Sequence, residues 1–413
     1  MKKIAAISIN KTSLNGFLKY KKHFSNNGYE LKIIHEEKLD SSINKYLSLN
    51  NLPLKPKEFE KNLKIYFKKR LKKFYFLVKP FLILVKLYYW IFYLYLLRKK
   101  LRSFFIEEKI NYLLLYGDRA LGLESEALLI SKKIGIKSII VPIVIPASKK
   151  NLLKNRGFSK IPFLSSNFLF ARYLMYGPVG TLATLFFHYP IHDIWNCGSS
   201  MVDRLCVFNE NLKNYYIKNG IDEKKIKISG SLDIAEVLSE KNDYLKTDKF
   251  FILINLPTLY EHNFYNYQYS HKVQRHIIKN ISKVAAEYKL DLVVNLHPKQ
   301  KRKAYSWLKQ YDVTISKNKL AKDLINSICY VTGQGSSTIA YADELKKHSI
   351  VCGWYGLEPN YNYQNKKLIY ECLDSDLFQS KCFEIIGKAI KNPTVTNLNY
   401  NIDKHINNLL SGL

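Results

Sequence analysis

Along most of this chain, short apolar runs alternate with stretches in which apolar residues recur every three or four positions. The runs at 4–9, 29–35, 112–116, 138–145, 203–209 and 225–229 read as strands covered on both faces, as in a parallel sheet. Between them the periodicity predicts helices at about 16–24, 123–134 and 210–219, the last two closed by Gly135 and Gly220. Polar residues from 240 to 249 interrupt the rhythm and mark a domain junction. Beyond them, strands at 250–256, 291–296, 313–316, 328–332 and 349–353 alternate with helices at 271–288, 302–311, 320–327 and 337–345. Two βα-repeating halves predict an α/β chain of two Rossmann-like domains facing a cleft, over 1–240 and 248–413.

One stretch departs from that rhythm. Between 55 and 107 a basic run, Lys68-Lys69-Arg70-Leu71-Lys72-Lys73, precedes the aromatic-rich apolar segment 74–97, and Arg98-Lys99-Lys100 follows it. It reads as a basic, aromatic helical insertion in the N-terminal domain. Basic flanks around an apolar aromatic helix suit an anionic headgroup layer. The segment is near the length of a membrane span, but Lys79, Pro80 and Lys86 interrupt it. An interfacial helix or hairpin is therefore expected, with a buried core helix and a true span as alternatives. A second apolar segment, 161–190, would add to the same face.

Composition narrows the classes. With 413 residues, 47% of them hydrophobic, the chain can build two cores. The net charge of +31, carried by lysines spread over most of the chain, favours anionic partners. Zinc-finger spacing, an RNP-like aromatic motif and a recognition-helix signature are all missing, so nucleic acid is not the expected partner. The six cysteines lack paired metal-type spacing and read as reduced core residues. Met1-Lys2-Lys3 runs straight into a strand with too short an apolar run for a secretory signal. The expected location is cytoplasmic, peripheral on the inner face of the cell membrane.

Chemistry concentrates in two signatures of the C-terminal half. Asn295-Leu296-His297-Pro298 ends one strand, and Gly333-Gln334-Gly335-Ser336-Ser337-Thr338 links another to a helix. Ligands of open α/β sheets bind at that strand edge. Gly333 and Gly335 permit a tight turn, serine hydroxyls and free N–H groups suit a phosphate, and His297 could donate to the same oxygens. Each signature alone also fits a simple turn or an N-cap. Together, in neighbouring βα units, they predict a pocket for a phosphorylated nucleotide.

These residues and this arrangement resemble the GT-B glycosyltransferases and their relative, the UDP-N-acetylglucosamine 2-epimerase. Segment 203–233, with Arg204-Leu205-Cys206-Val207-Phe208-Asn209 leading to Ser229-Gly230-Ser231, is similar to the end of a GT-B N-terminal domain. A histidine-proline pair followed by a serine pair resembles the bacterial sialyltransferases and Kdo transferases, which use CMP-activated acidic sugars. The resemblance implies that His297, Pro298, Ser336 and Ser337 contact the CMP phosphate; the expected acceptor is a surface glycan or a lipid-linked one, and no metal or other cofactor is expected. A similar pair in CDP-glycerol phosphotransferases keeps a CDP donor open. The sialyltransferases' acidic-acidic-glycine base motif has no clean copy here; the nearest candidate is Asp118 in Gly117-Asp118-Arg119, which also fits an N-cap and also resembles the epimerase. Glu124 and His192 are further cleft candidates, and Asp374-Ser375-Asp376 reads as a helix cap. The alternatives are an epimerase-like or UDP-dependent enzyme and a non-catalytic membrane-surface scaffold.

Overall fold

The computed structural model describes residues 1–35, 47–48, 52–71, 75–118, 121–141, 168–186, 198, 201–239, 251–359, 366–393 and 401–412. The first half runs β1 (Lys2–Ser8), α1 (Lys11–Asn26), β2 (Tyr29–His35), β3 (Leu47–Ser48), α2 (Pro56–Leu71), α3 (Tyr75–Glu107), β4 (Ile110–Leu115), α4 (Leu123–Lys133), β5 (Lys137–Ile140), α5 (Phe168–Phe186), β6 (Arg204–Val207), α6 (Glu210–Lys218), β7 (Ile226–Ile228) and α7 (Leu232–Ser239). The second runs β8 (Phe251–Asn255), α8 (Tyr267–Tyr288), β9 (Asp291–Val294), a 3-10 helix (Arg302–Tyr311), β10 (Val313–Ile315), α9 (Leu320–Asn326), β11 (Cys329–Gly333), α10 (Ile339–Glu344), β12 (His348–Cys352), β13 (Ile369–Cys372), α11 (Phe378–Lys391) and α12 (Ile402–Leu410).

Each half folds around one sheet with every pairing parallel, ordered β3-β2-β1-β4-β5-β6-β7 in the first and β10-β9-β8-β11-β12-β13 in the second. Two Rossmann-like parallel α/β domains, as expected from the sequence, are what the chain builds. The central strands are apolar without alternation because helices cover both faces: Ile4, Ala5, Ala6 and Ile7 of β1, and Ile252, Leu253 and Ile254 of β8, are all fully buried. In each sheet the strand order reverses between the first strand and its fourth, β1 beside β4 and β8 beside β11. There the flanking loops diverge and leave a crevice at the C-terminal edge.

The segment 55–107 forms two helices, α2 and α3, between β3 and β4 of the first domain. It is the connection that carries the chain from β3, at the sheet edge, across to β4, and parallel strands need such a helical crossover. Trp90, Tyr93, Leu94, Leu97, Leu101 and Phe105 of α3 belong to the domain core. Arg98 forms a two-bond pair with Glu126 of α4, Nε to Oε2 at 2.7 Å and Nη2 to Oε1 at 3.1 Å, and Glu126 is fully buried. By length and composition Pro80–Glu107 could cross a membrane. Its C-terminal half, from Trp90 to Phe105, contributes side chains to the core of the first domain.

The end of the chain also departs from the expected division. Rather than staying with the second sheet, α12 returns to the first domain, where Ile406, Leu409 and Leu410 pack with Ile4, Phe17 and Phe24. Its amphipathic face needs an apolar partner, and the first sheet's α1 side supplies it; His405 is fixed there by the Tyr20 hydroxyl at 2.9 Å and the Ser229 carbonyl at 2.7 Å. The polar stretch 240–249 lies outside the described residues. The halves meet where Phe208 contacts Tyr341 edge to face at 5.4 Å and Ser231 N donates to Glu344 Oε1 at 3.1 Å.

Candidate functional site

At the crevice of the second sheet the loops after β8, β9 and β11 surround a pocket of about 310 Å³. That is the lower end of the volume range typical of small-ligand sites. His297 enters from the β9 loop, the run from Thr332 to Thr338 from the β11 loop, and the segment from Asn255 to Phe264 from the β8 loop. The two signatures singled out in the sequence therefore face one another.

The β9 loop is held from below. Asn295 donates from Nδ2 to Asp323 Oδ2 at 2.8 Å, and Asp323, itself buried, also accepts from Asn318 Nδ2 at 2.9 Å. His297 N donates to Gln300 Oε1 at 2.9 Å, and Lys299 N donates to His297 Nδ1 at 3.1 Å. A ring nitrogen that accepts carries no proton, so the neutral imidazole bears its hydrogen on Nε2. Burial, then the Lys299 charge, holds His297 below the usual histidine range, with Glu261 opposing. A neutral ring with one committed nitrogen presents a single donor. Pro298 is exposed beside it and blocks further strand pairing.

In the β11 loop Gly335 takes a φ of +83°, which turns the chain sharply. Gly333 has no room for a side chain, since a Cβ would lie 2.8 Å from Pro257 Cγ and against the Tyr355 hydroxyl. The expected helix from 337 to 345 is shorter, Ile339–Glu344, and its N-cap, Thr338, makes no side-chain cap bond. The hydroxyls gather instead: Thr338 Oγ1 lies 2.6 Å from Ser336 Oγ and 2.5 Å from the Tyr330 hydroxyl. The result is a hydroxyl-lined turn.

His262, in the β8 loop, carries no signal in the sequence beyond following the first strand of the second domain, and sequence reasoning missed it. Its ring lies 5.4 Å from that of His297 at 71°. Burial, then Lys299, then His297 depress it to about 4. Both imidazoles of the pocket are therefore neutral near pH 7.

The remaining candidates fall elsewhere. Asp118 does follow β4 at the crevice of the first sheet, but it is 1% exposed and its Oδ2 accepts from Gly198 N at 3.0 Å. The carboxylate is withdrawn from solvent and holds the Gly198 amide. Glu124 lies in the first turn of α4, 2% exposed, and does not line the second-domain pocket. His192 lies outside the described residues. Asp374 Oδ1 accepts from Asp376 N at 2.8 Å in a local turn rather than the expected helix cap; the N-cap of α11 is Leu377, with no side-chain cap. Among the described residues no group of three or more His, Cys, Asp or Glu could hold a metal ion. The described cysteines, Cys206, Cys329, Cys352, Cys372 and Cys382, are free thiols in the cores, and Cys197 lies outside the described residues.

No family model matches the sequence and no curated protein matches it. Solved structures with a similar course of the chain include a UDP-GlcNAc 2-epimerase from Methanocaldococcus jannaschii in complex with UDP-GlcNAc and UDP, 13% identical over 98% of each chain with a TM-score of 0.48. MurG from Acinetobacter baumannii is 9% identical over 100% of each chain, TM-score 0.47. CalG4, a calicheamicin glycosyltransferase, is 8% identical over 100% of this chain and 94% of its own, TM-score 0.47. At these values the likeness does not carry the neighbours' ligands over to this chain.

Proposed function

We propose that the protein is a nucleotide-sugar-dependent glycosyltransferase, moving a sugar, in the first instance an acidic one from a CMP donor, onto a glycan or lipid-linked acceptor of the cell surface. The observation that supports it is the meeting of His297 with the Gly335-Ser336-Ser337-Thr338 turn in one pocket at the crevice of the second sheet. His297 Nε2–H and the hydroxyl turn address a phosphate. Charge that develops on the leaving nucleotide is met there by preorganised donors. The choice of CMP rests on the resemblance of the histidine-proline and serine pairs. A UDP donor, or CDP-glycerol, is the second reading, because the groups that face the pocket address phosphate chemistry that all these nucleotides share.

The membrane is the proposed partner of α3 and α2. Phe81, Leu84, Tyr88 and Tyr95 are each more than 60% exposed, on the face of α3 opposite its core residues Leu94, Leu97 and Leu101. On α2, which packs beside it, Lys61, Lys64, Lys68, Lys69 and Arg70 are exposed. An apolar aromatic stripe flanked by lysines suits an anionic, cytoplasmic membrane surface, where a lipid-linked acceptor would be found.

Thermal unfolding in the presence of CMP, CDP and UDP decides the nucleotide: the donor's product raises the melting temperature. With the matching nucleotide-sugar, His297→Ala lowers the rate of nucleotide release at least a hundredfold. Unchanged release in the variant removes His297 from the mechanism, and a protein that no nucleotide stabilises is a scaffold with a vestigial cleft.

A further inference from the structure

The pocket holds a second histidine. We propose that His262 is a second phosphate-contacting residue, facing the leaving phosphate of the nucleotide together with His297. The proposal rests on the nucleotide reading above and deepens it.

The first ground is placement. His262 and His297 stand on the loops that leave β8 and β9, paired neighbours in the sheet, and both side chains line the same pocket. Their rings are 5.4 Å apart and tilted by 71°, so the two are side by side on one wall. An oxyanion beside that wall lies within reach of both.

The second ground is rigidity. The loop that carries His262 is tied on three sides: Gln274 Nε2 donates to the Pro257 carbonyl at 2.8 Å, His262 N to the Thr258 carbonyl at 3.2 Å, and the Tyr265 hydroxyl to the Tyr355 carbonyl. Glu261, its neighbour, turns inward, where its Oε1 accepts from the Tyr305 hydroxyl at 3.0 Å. The His262 ring lies near-parallel to that of Phe264, centroids 6.2 Å apart and 12° between the planes. A ring held on a tied loop is positioned as a binding group rather than left as a loose surface side chain.

The third ground is charge. His297 and Lys299 face His262, and Lys299 and Glu261 face His297. Two imidazoles and an ammonium thus converge, with one carboxylate set against them. Burial first, and then that arrangement, keep the imidazoles neutral in the free protein, and an anion placed among them favours their protonated forms. Binding of a phosphate therefore takes up protons as the pH falls below the usual histidine range, and affinity rises in the same direction.

The test is calorimetric titration of the full chain with CMP, CDP and UDP at pH 5, 6, 7 and 8. For the nucleotide that binds, affinity should increase from pH 8 to pH 5. His262→Gln, which keeps a donor but cannot protonate, should flatten that slope, and His262→Ala should weaken binding about tenfold at pH 7. In the unaltered protein the bound nucleotide should shield both His262 and His297 from diethyl pyrocarbonate, read by mass spectrometry, which serves if the variants fail to fold. Protection of His297 alone, or a His262→Gln slope equal to that of the parent, overturns the role of His262 and leaves the glycosyltransferase reading standing. Absence of binding by all three nucleotides overturns both.

Discussion

At Asp118 two roles compete for one carboxylate. A general base has to reach the acceptor hydroxyl within hydrogen-bond distance, whereas this side chain is buried and accepts the Gly198 amide. Asp118→Asn separates them, because an amide oxygen still accepts from Gly198 while the amide cannot take a proton. The variant should fold with an unchanged melting temperature and keep turnover within about threefold of the parent, as an anchor predicts. Loss of turnover by a factor of hundreds in the folded variant would instead make the carboxylate the base. The contrast with His297 is one of surroundings: a strand-end histidine next to proline is steered into the crevice by its own loop, while an aspartate after β4 takes its place from what folds over it.

At the scale of the element, α3 shows how one helix can serve a core and an outer face at once. Its apolar residues occupy two opposite faces, one inside the domain and one outside, so the helix is hydrophobic nearly all round and its periodicity is erased. A run without periodicity, preceded by lysines, looks like a membrane segment in sequence. Packing separates the faces. Leu101→Ala should cost about 2–5 kcal/mol of stability, read as a lowered urea midpoint of the detergent-free protein, because it opens a cavity in a filled core. A midpoint that does not move would mean that this half of α3 lies outside the core.

For the whole molecule, the outer face of α3 tests membrane docking. Replacing Phe81, Leu84 and Tyr88 by serine should cut sedimentation with vesicles containing anionic lipid by at least tenfold without lowering the melting temperature, since these side chains are exposed. Binding of the unaltered protein should also weaken as salt is raised, because the α2 lysines contribute through screened attraction. Equal sedimentation of parent and triple variant would move the docking face elsewhere.

The two βα repeats and the pair of signatures could be read directly from the chain, because strand runs, helix periodicity and turn glycines are local properties. Strand Tyr29–His35 even coincides with its expected bounds, and β8, β9 and β11 differ from theirs by a residue or two at an end. Strand β13 and helix α11 escaped because the strand is a four-residue run broken by a glutamate, too brief to stand out. The crossover role of α3, the return of α12 to the first core, the burial of Asp118 and the meeting of His262 with His297 are long-range facts. Each depends on which surfaces come together after the sheets form, and residues far apart in sequence, or unremarkable within it, acquire that meaning only through the packing that encloses them.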